Sequence, residues 1–132
     1  MKTKAVVFVI TAIMLSSGAV YAHHSFAATY DQTKTVTIEG KVAQFLIRSP
    51  HSFLHVLAKD ESGQMQRWAI EWQGAAQLVD AGITKDTLKA GDPVIVTGNP
   101  GRAAEDHRIR MVTIKRTTDG FGWGNRQGQV VD

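Results

Sequence analysis

The chain has 132 residues, the size of one compact domain, and 43% of them are apolar, enough for an autonomous core. Its formal charge of +3 sets 15 Lys and Arg against 12 Asp and Glu, too even a balance for a nucleic-acid or anionic-membrane surface. There is no cysteine, so the fold must hold by burial alone and thiol catalysis is excluded.

Residues 1–22 read as a secretory signal. Lys2 and Lys4 give a positive start, Ala5 to Leu15 is an uncharged apolar run, and Ser16-Ser17-Gly18 breaks it before Val20-Tyr21-Ala22. A spanning helix needs about 20 apolar residues, more than this run supplies, so cleavage after Ala22 is expected rather than anchoring. The mature chain would then have about 110 residues. It would lose two positive charges and begin His23-His24-Ser25-Phe26 in a periplasm or outside the cell. No later segment resembles a membrane span.

His23 to Thr33 lacks periodicity and is expected to form an extended arm. Lys34 to Ile47 alternates apolar and polar residues, a long first strand with a bulge or bend at Gly40. Ser49-Pro50 interrupts it. A second strand is expected over His51 to Lys59, with Leu54, Val56 and Ala58 on one face and Phe53, His55 and Leu57 on the other. Asp60-Glu61-Ser62-Gly63 is a turn, and Gln64 to Trp72 returns as the third strand. Ala75, Leu78 and Val79 then fall at helical spacing, ending where Gly82 supplies a C-cap. Val94 to Thr97 and His107 to Arg116 complete the strands, with Val112 and Ile114 as apolar alternates in the last.

Five strands with one short helix between the third and fourth predict an all-β chain, a small five-stranded OB-fold-like β-barrel over 34–117. A two-sheet sandwich would not need that helix. The barrel is preceded by the arm at 23–33 and followed by a glycine-rich tail at 118–132, in which Phe121 and Trp123 suggest partial docking.

Chemistry concentrates in the histidines. A free amine on His23 titrates near pH ~7.7–8.0, low enough to give up its proton to a metal. With the rings of His23 and His24 it forms a nitrogen-rich set suited to copper(II) or nickel(II). The arrangement resembles the histidine brace of copper proteins, which also begin with histidine. His51, at a strand entrance, is where a folded-back arm would find a third imidazole. His55 shares its strand face, but four residues span roughly 13 Å, too far for both rings to bind one ion. His55 is therefore expected to pack, and His107 to sit in a solvated loop.

Trp68 and Trp72 alternate with Ile70 as core residues do; exposed, they would instead be a stacking platform for a protein or glycan. Ser25 beside His24 and Ser52 beside His51 lack a third orienting group, Glu71 and Asp92 make no recognisable acid pair, and no phosphate or dinucleotide motif appears. No enzymatic activity is expected.

The segments HHSFAATYD, VTIEGKV, SPHSFLHV, RWAIEW and LKAGDPVIVTG, spread over residues 23–115, resemble an uncharacterised family of small exported Gram-negative bacterial proteins, known only as a domain of unknown function. Its members open with His-His-Ser after the signal and carry Asn-Pro-His before the second strand. Here that step is Ser49-Pro50-His51. The resemblance implies export and an OB-like barrel but no activity and no site residue. The leading expectation is a periplasmic binding module holding a copper-like ion through His23, His24 and His51. The alternative is a module that binds an envelope protein or a glycan through Trp68 and Trp72. An accessory subunit of an exported redox enzyme is a third reading.

Overall fold

The computed structural model describes residues 26–124 and the backbone of 130 and 131. The expected signal, His23, His24 and Ser25 lie outside the described residues. In chain order come β1 (Val36–Leu46), β2 (Phe53–Lys59), β3 (Met65–Glu71), α1 (Ala75–Asp80), β4 (Pro93–Pro100), β5 (Arg108–Arg116), β6 (Gly122–Trp123) and β7 (Val130–Val131). A single 3-10 turn, Ala104–Asp106, precedes β5. β1 pairs antiparallel with both β2 and β4, β2 with β3, and β4 with β5. A parallel seam from Ala69–Arg108 to Glu71–Arg110 joins β3 to β5 and closes the five-stranded barrel expected from the element order. Among the described residues no helix is long and apolar enough to cross a membrane.

Strand alternation sets the core. Leu54, Val56 and Ala58 point inward from β2 and meet Ile38, Val42, Ile70, Val94, Val96 and Ile109, all buried. The bulge expected at Gly40 lies instead between Val42 and Gln44. Gly40 serves close approach: a Cβ there would stand 2.1 Å from the Leu57 carbonyl oxygen and 2.8 Å from the Ala58 Cβ. β2 starts two residues later than expected, because Ser52 belongs to the loop. Its buried hydroxyl accepts from the Arg48 N–H at 3.1 Å and donates to the Arg48 carbonyl at 3.2 Å. Both bonds tie Ser52 to the backbone of Arg48.

α1 starts where the Gln77 side chain accepts the Gly74 N–H at 3.1 Å. It stops as Gly82 takes a left-handed φ of 75°. Gly82 N–H then bonds the Val79 carbonyl at 2.9 Å and Ile83 N–H bonds Leu78 at 2.8 Å, a Schellman cap whose two apolar members, Leu78 and Ile83, are both buried. In β5 the expectation for Val112 fails. The β4–β5 register slips between Thr97 and Gly98, where Thr97 faces Thr113 but Gly98 faces Met111. Val112 is the extra residue, turned out to 45% exposure, while Met111 and Ile114 both face the core.

The core does not stop at residue 117. β6 pairs with β5, Trp123 opposite Ile114, and β7 pairs with β6. Trp123 is 5% exposed and meets Trp72 edge-on, ring centroids 5.1 Å apart. A cross-link holds the turn into β6. Arg116 donates to Asp119 through Nε at 2.9 Å and Nη2 at 2.7 Å. Its Nη1 donates to Asp92 at 2.9 Å and to the Thr87 carbonyl at 2.6 Å, and its guanidinium lies over Phe121.

These bonds contribute to the acid sensitivity of the fold. Arg116 holds the Asp119 carboxyl at about 2, and the Ser62 hydroxyl, followed by Gln66 and backbone amides, does the same for Asp60. Asp92 is lowered by the Lys89 amide and then Arg116, and Asp31 by Thr33. Carboxyls depressed in the folded state stabilise it above their unfolded value of about 3.9 and lose that contribution as pH falls through the folded value. Thermal melts followed by circular dichroism should therefore hold a constant midpoint down to about pH 4 and fall steeply between about 4 and 2. Arg116→Met should flatten that fall, leaving the share owed to Asp60 and Asp31.

Candidate functional site

The arm folds back onto the barrel. Residues 26–29 make one helical turn, closed by the Tyr30 N–H on the Phe26 carbonyl at 2.8 Å. Tyr30 bridges to Gly101, Asp31 N–H bonds the Pro100 carbonyl at 2.9 Å, and Arg102 Nε donates to the Ala27 carbonyl at 2.7 Å. The β4–β5 loop thus holds the arm, and Tyr30 is fully buried beneath it.

The Tyr30 hydroxyl donates to Glu71 Oε2. Glu71 ends β3, 7% exposed, in the parallel seam between the barrel's third and fifth strands. Its Oε2 also receives Arg108 Nη2 at 3.4 Å, while its Oε1 stands 2.6 Å from His51 Nδ1. A buried carboxylate satisfied by three donors is the arrangement that makes such burial tolerable. Burial, reinforced by the Glu71 bond, pushes the Tyr30 hydroxyl well above its ordinary value and keeps it a donor.

The assembly opens on a cleft of about 250 Å³ lined by Phe26, His51, Glu71, Trp72, Gln77 and Arg110 among others. Phe26 lies on the His51 ring with centroids 4.9 Å apart, and the Arg110 guanidinium sits 4.1 Å from the Phe26 centroid. Arg108 covers the Tyr30 ring in the same way at 5.6 Å. With Nδ1–H given to Glu71, His51 keeps Nε2 as its remaining nitrogen.

The candidates named from sequence separate. His51 lies in the cleft against the arm. His55 stands elsewhere: its Nδ1 accepts Arg67 Nε at 2.8 Å, and burial with Arg67 and Arg48 lowers its pKa. His107, expected in solvent, is instead half-buried, edge-on to Trp68 at 5.1 Å with its Nε2 3.7 Å from Asp60. The two tryptophans make no common platform. Trp72 is 4% exposed and packs on Phe45 and Trp123. Trp68 is half-buried and lines a different cavity. Among the described residues, no cluster of three or more His, Asp or Glu side chains is arranged to hold a metal.

Two residues of the cleft network, Tyr30 and Glu71, were not signalled as site residues by the sequence. Glu71 left one trace: an acid between Ile70 and Trp72 in an otherwise apolar strand end. Tyr30, in an aperiodic arm, left none. With this geometry in view, a family described as a family of unknown function, DUF6152, matches residues 12–120. The chain belongs to that family. Its match takes in the arm, the barrel and Arg116, and ends before β6. No curated protein matches the chain.

Proposed function

We propose that this DUF6152 chain is an exported, non-enzymatic binding module on an OB-like barrel, and that its mouth holds a copper-like metal ion through His23, His24 and His51. The strand order supports the OB-like description: the helix falls between the third and fourth strands, and the third closes on the fifth. The signal-like start supports export to the periplasm.

The observation that carries the metal reading is the pose of His51. A carboxylate on one ring nitrogen fixes the tautomer and orientation of a metal-binding histidine and raises the basicity of the other nitrogen. Glu71 Oε1, 2.6 Å from Nδ1, is placed to hold that tautomer and orientation. Phe26, packed on the same imidazole, anchors the segment that follows the two terminal histidines. Three residues of chain reach about 10 Å at most, a short enough tether for the His23 and His24 donors to return to the mouth. Amine and imidazole donors together fit copper(II).

Mature protein starting at His23 should bind copper(II) with a visible d–d band. Removing His23 and His24 should abolish that site, and His51→Ala should weaken it about tenfold, the effect of losing one of several donors. Equal affinity in the variant lacking His23 and His24 would refute the reading.

A further inference from the structure

A second cavity, of about 480 Å³, opens between the start of β1, the β2–β3 turn and the β4–β5 loop. Its size is that of a small-molecule site, and it shares only Arg108 with the Glu71 network. Trp68 forms its aromatic wall. The indole is fixed by its N–H to the Ala58 carbonyl at 3.3 Å, and His107 braces it edge-on. His107 reaches that position as the left-handed residue, φ 45°, that ends the 3-10 turn, a conformation histidine adopts more readily than most non-glycine residues.

The charge of the lining is uneven. Four carboxylates, Asp31, Asp60, Glu61 and Glu105, face Lys34, Arg102 and Arg108. Arg108 is paired with Glu71 at 3.4 Å and Lys34 with Asp31 at 3.5 Å, which leaves Asp60, Glu61 and Glu105 against Arg102 and makes the cavity mildly acidic. Asp60 is kept ionised down to about 2, chiefly by the Ser62 hydroxyl. The acceptors of Asp31 and Asp60 are largely occupied. Asp31 takes Thr33 and Lys34, and Asp60 takes Ser62, Gln64 and Gln66. They therefore supply negative field rather than open hydrogen-bond positions. Glu61 and Glu105, exposed at the rim, make no hydrogen bond or ion pair among the described residues.

We propose that this cavity binds a small organic cation of the quaternary ammonium class, seated against Trp68 with Glu61 and Glu105 at its rim. Such a ligand needs an aromatic face and a negative field but no directed hydrogen bonds, which is what the lining offers. A neutral sugar would gain nothing from that negative field.

The probe is choline, titrated into the mature chain by calorimetry beside its neutral isostere 3,3-dimethylbutan-1-ol. Tryptophan fluorescence provides a second readout, since Trp72 and Trp123 are buried and Trp68 is the indole the cavity reaches. Choline should bind in the millimolar range or tighter, with the isostere at least tenfold weaker. Trp68→Leu should weaken choline by about tenfold, and Glu61→Gln with Glu105→Gln should reduce both affinity and its salt dependence. The Trp72–Trp123 near-ultraviolet signal reports that each variant is folded. His51→Ala should leave choline binding unchanged, which separates this cavity from the mouth. Equal binding of the isostere, undiminished binding by folded Trp68→Leu, preference for a neutral disaccharide, or no binding of choline would each overturn the proposal.

Discussion

Trp123→Ala is expected to cost about 3–5 kcal/mol of unfolding free energy, the range for deleting a large aromatic from a closed core. Urea denaturation measures it. The effect is unusual because the residue lies in the glycine-rich stretch beyond the fifth strand, where a substitution in a loose tail would stay within about 0.5 kcal/mol. Trp123 is 5% exposed, faces Trp72 edge-on and belongs to a strand laid on β5. Space nearby is tight: a Cβ at Gly124 would stand 2.1 Å from the Val112 carbonyl oxygen, so the segment is seated close against β5. A second variant separates packing from polarity. The indole N–H of Trp123 is buried without a partner among the described residues, and an unpaired buried donor costs about 1–3 kcal/mol. Trp123→Phe removes that donor and keeps most of the aromatic contact, so it should lose far less than Trp123→Ala. A small loss for both would mean that β6 does not contribute to the core.

What could be read ahead of the structure was whatever repeats along the chain. Alternation in Leu54-His55-Val56-Leu57-Ala58 gave the inward and outward faces of β2, because a strand has a fixed period of two. Gly82 gave the helix end, since glycine takes the left-handed position after a helix at least steric cost. The places that failed are those where period breaks or distant segments meet. Val112 reads as an apolar alternate of Ile114, and one extra residue opposite Gly98 turns it out. Trp123 lies past a break in pattern: its aromatic ring pointed to docking, as found, but nothing local says that it pairs with Ile114 across the strand. The site divides in the same way. His51 was legible as a ring at a strand mouth. Its partner Glu71 is 20 residues away, and Tyr30, 41 residues from Glu71, comes from a segment with no periodicity. Contacts of that kind are set by closure of the barrel, which local pattern does not encode.

Glu71 carries the second large effect, and two substitutions there should part stability from binding. Glu71→Ala leaves the buried Tyr30 hydroxyl without its acceptor and removes the ion pair of Arg108 and the support of His51. Breaking a buried pair by deleting one member costs about 3–5 kcal/mol. Here Arg108 is 3.4 Å away and its side chain is 35% exposed, so about 2–3 kcal/mol is the expected loss in urea. Tyr30→Phe should cost about 1 kcal/mol, one net hydrogen bond. The double variant should fall short of the sum, because both remove the same bond. Glu71→Gln is different. Its amide can still accept from Tyr30 through Oε1, so the fold should lose only about 1 kcal/mol. Toward His51 it then presents an N–H rather than an oxygen. Nδ1 must accept, the ring proton moves to Nε2, and the lone pair proposed to meet a metal is gone. Copper(II) affinity of a chain starting at His23 should drop by up to about tenfold, no further than His51→Ala takes it, against a stability loss of only about 1 kcal/mol. If Glu71→Gln binds copper as the unmodified chain does, Glu71 orients nothing and its role is confined to closing the seam between β3 and β5.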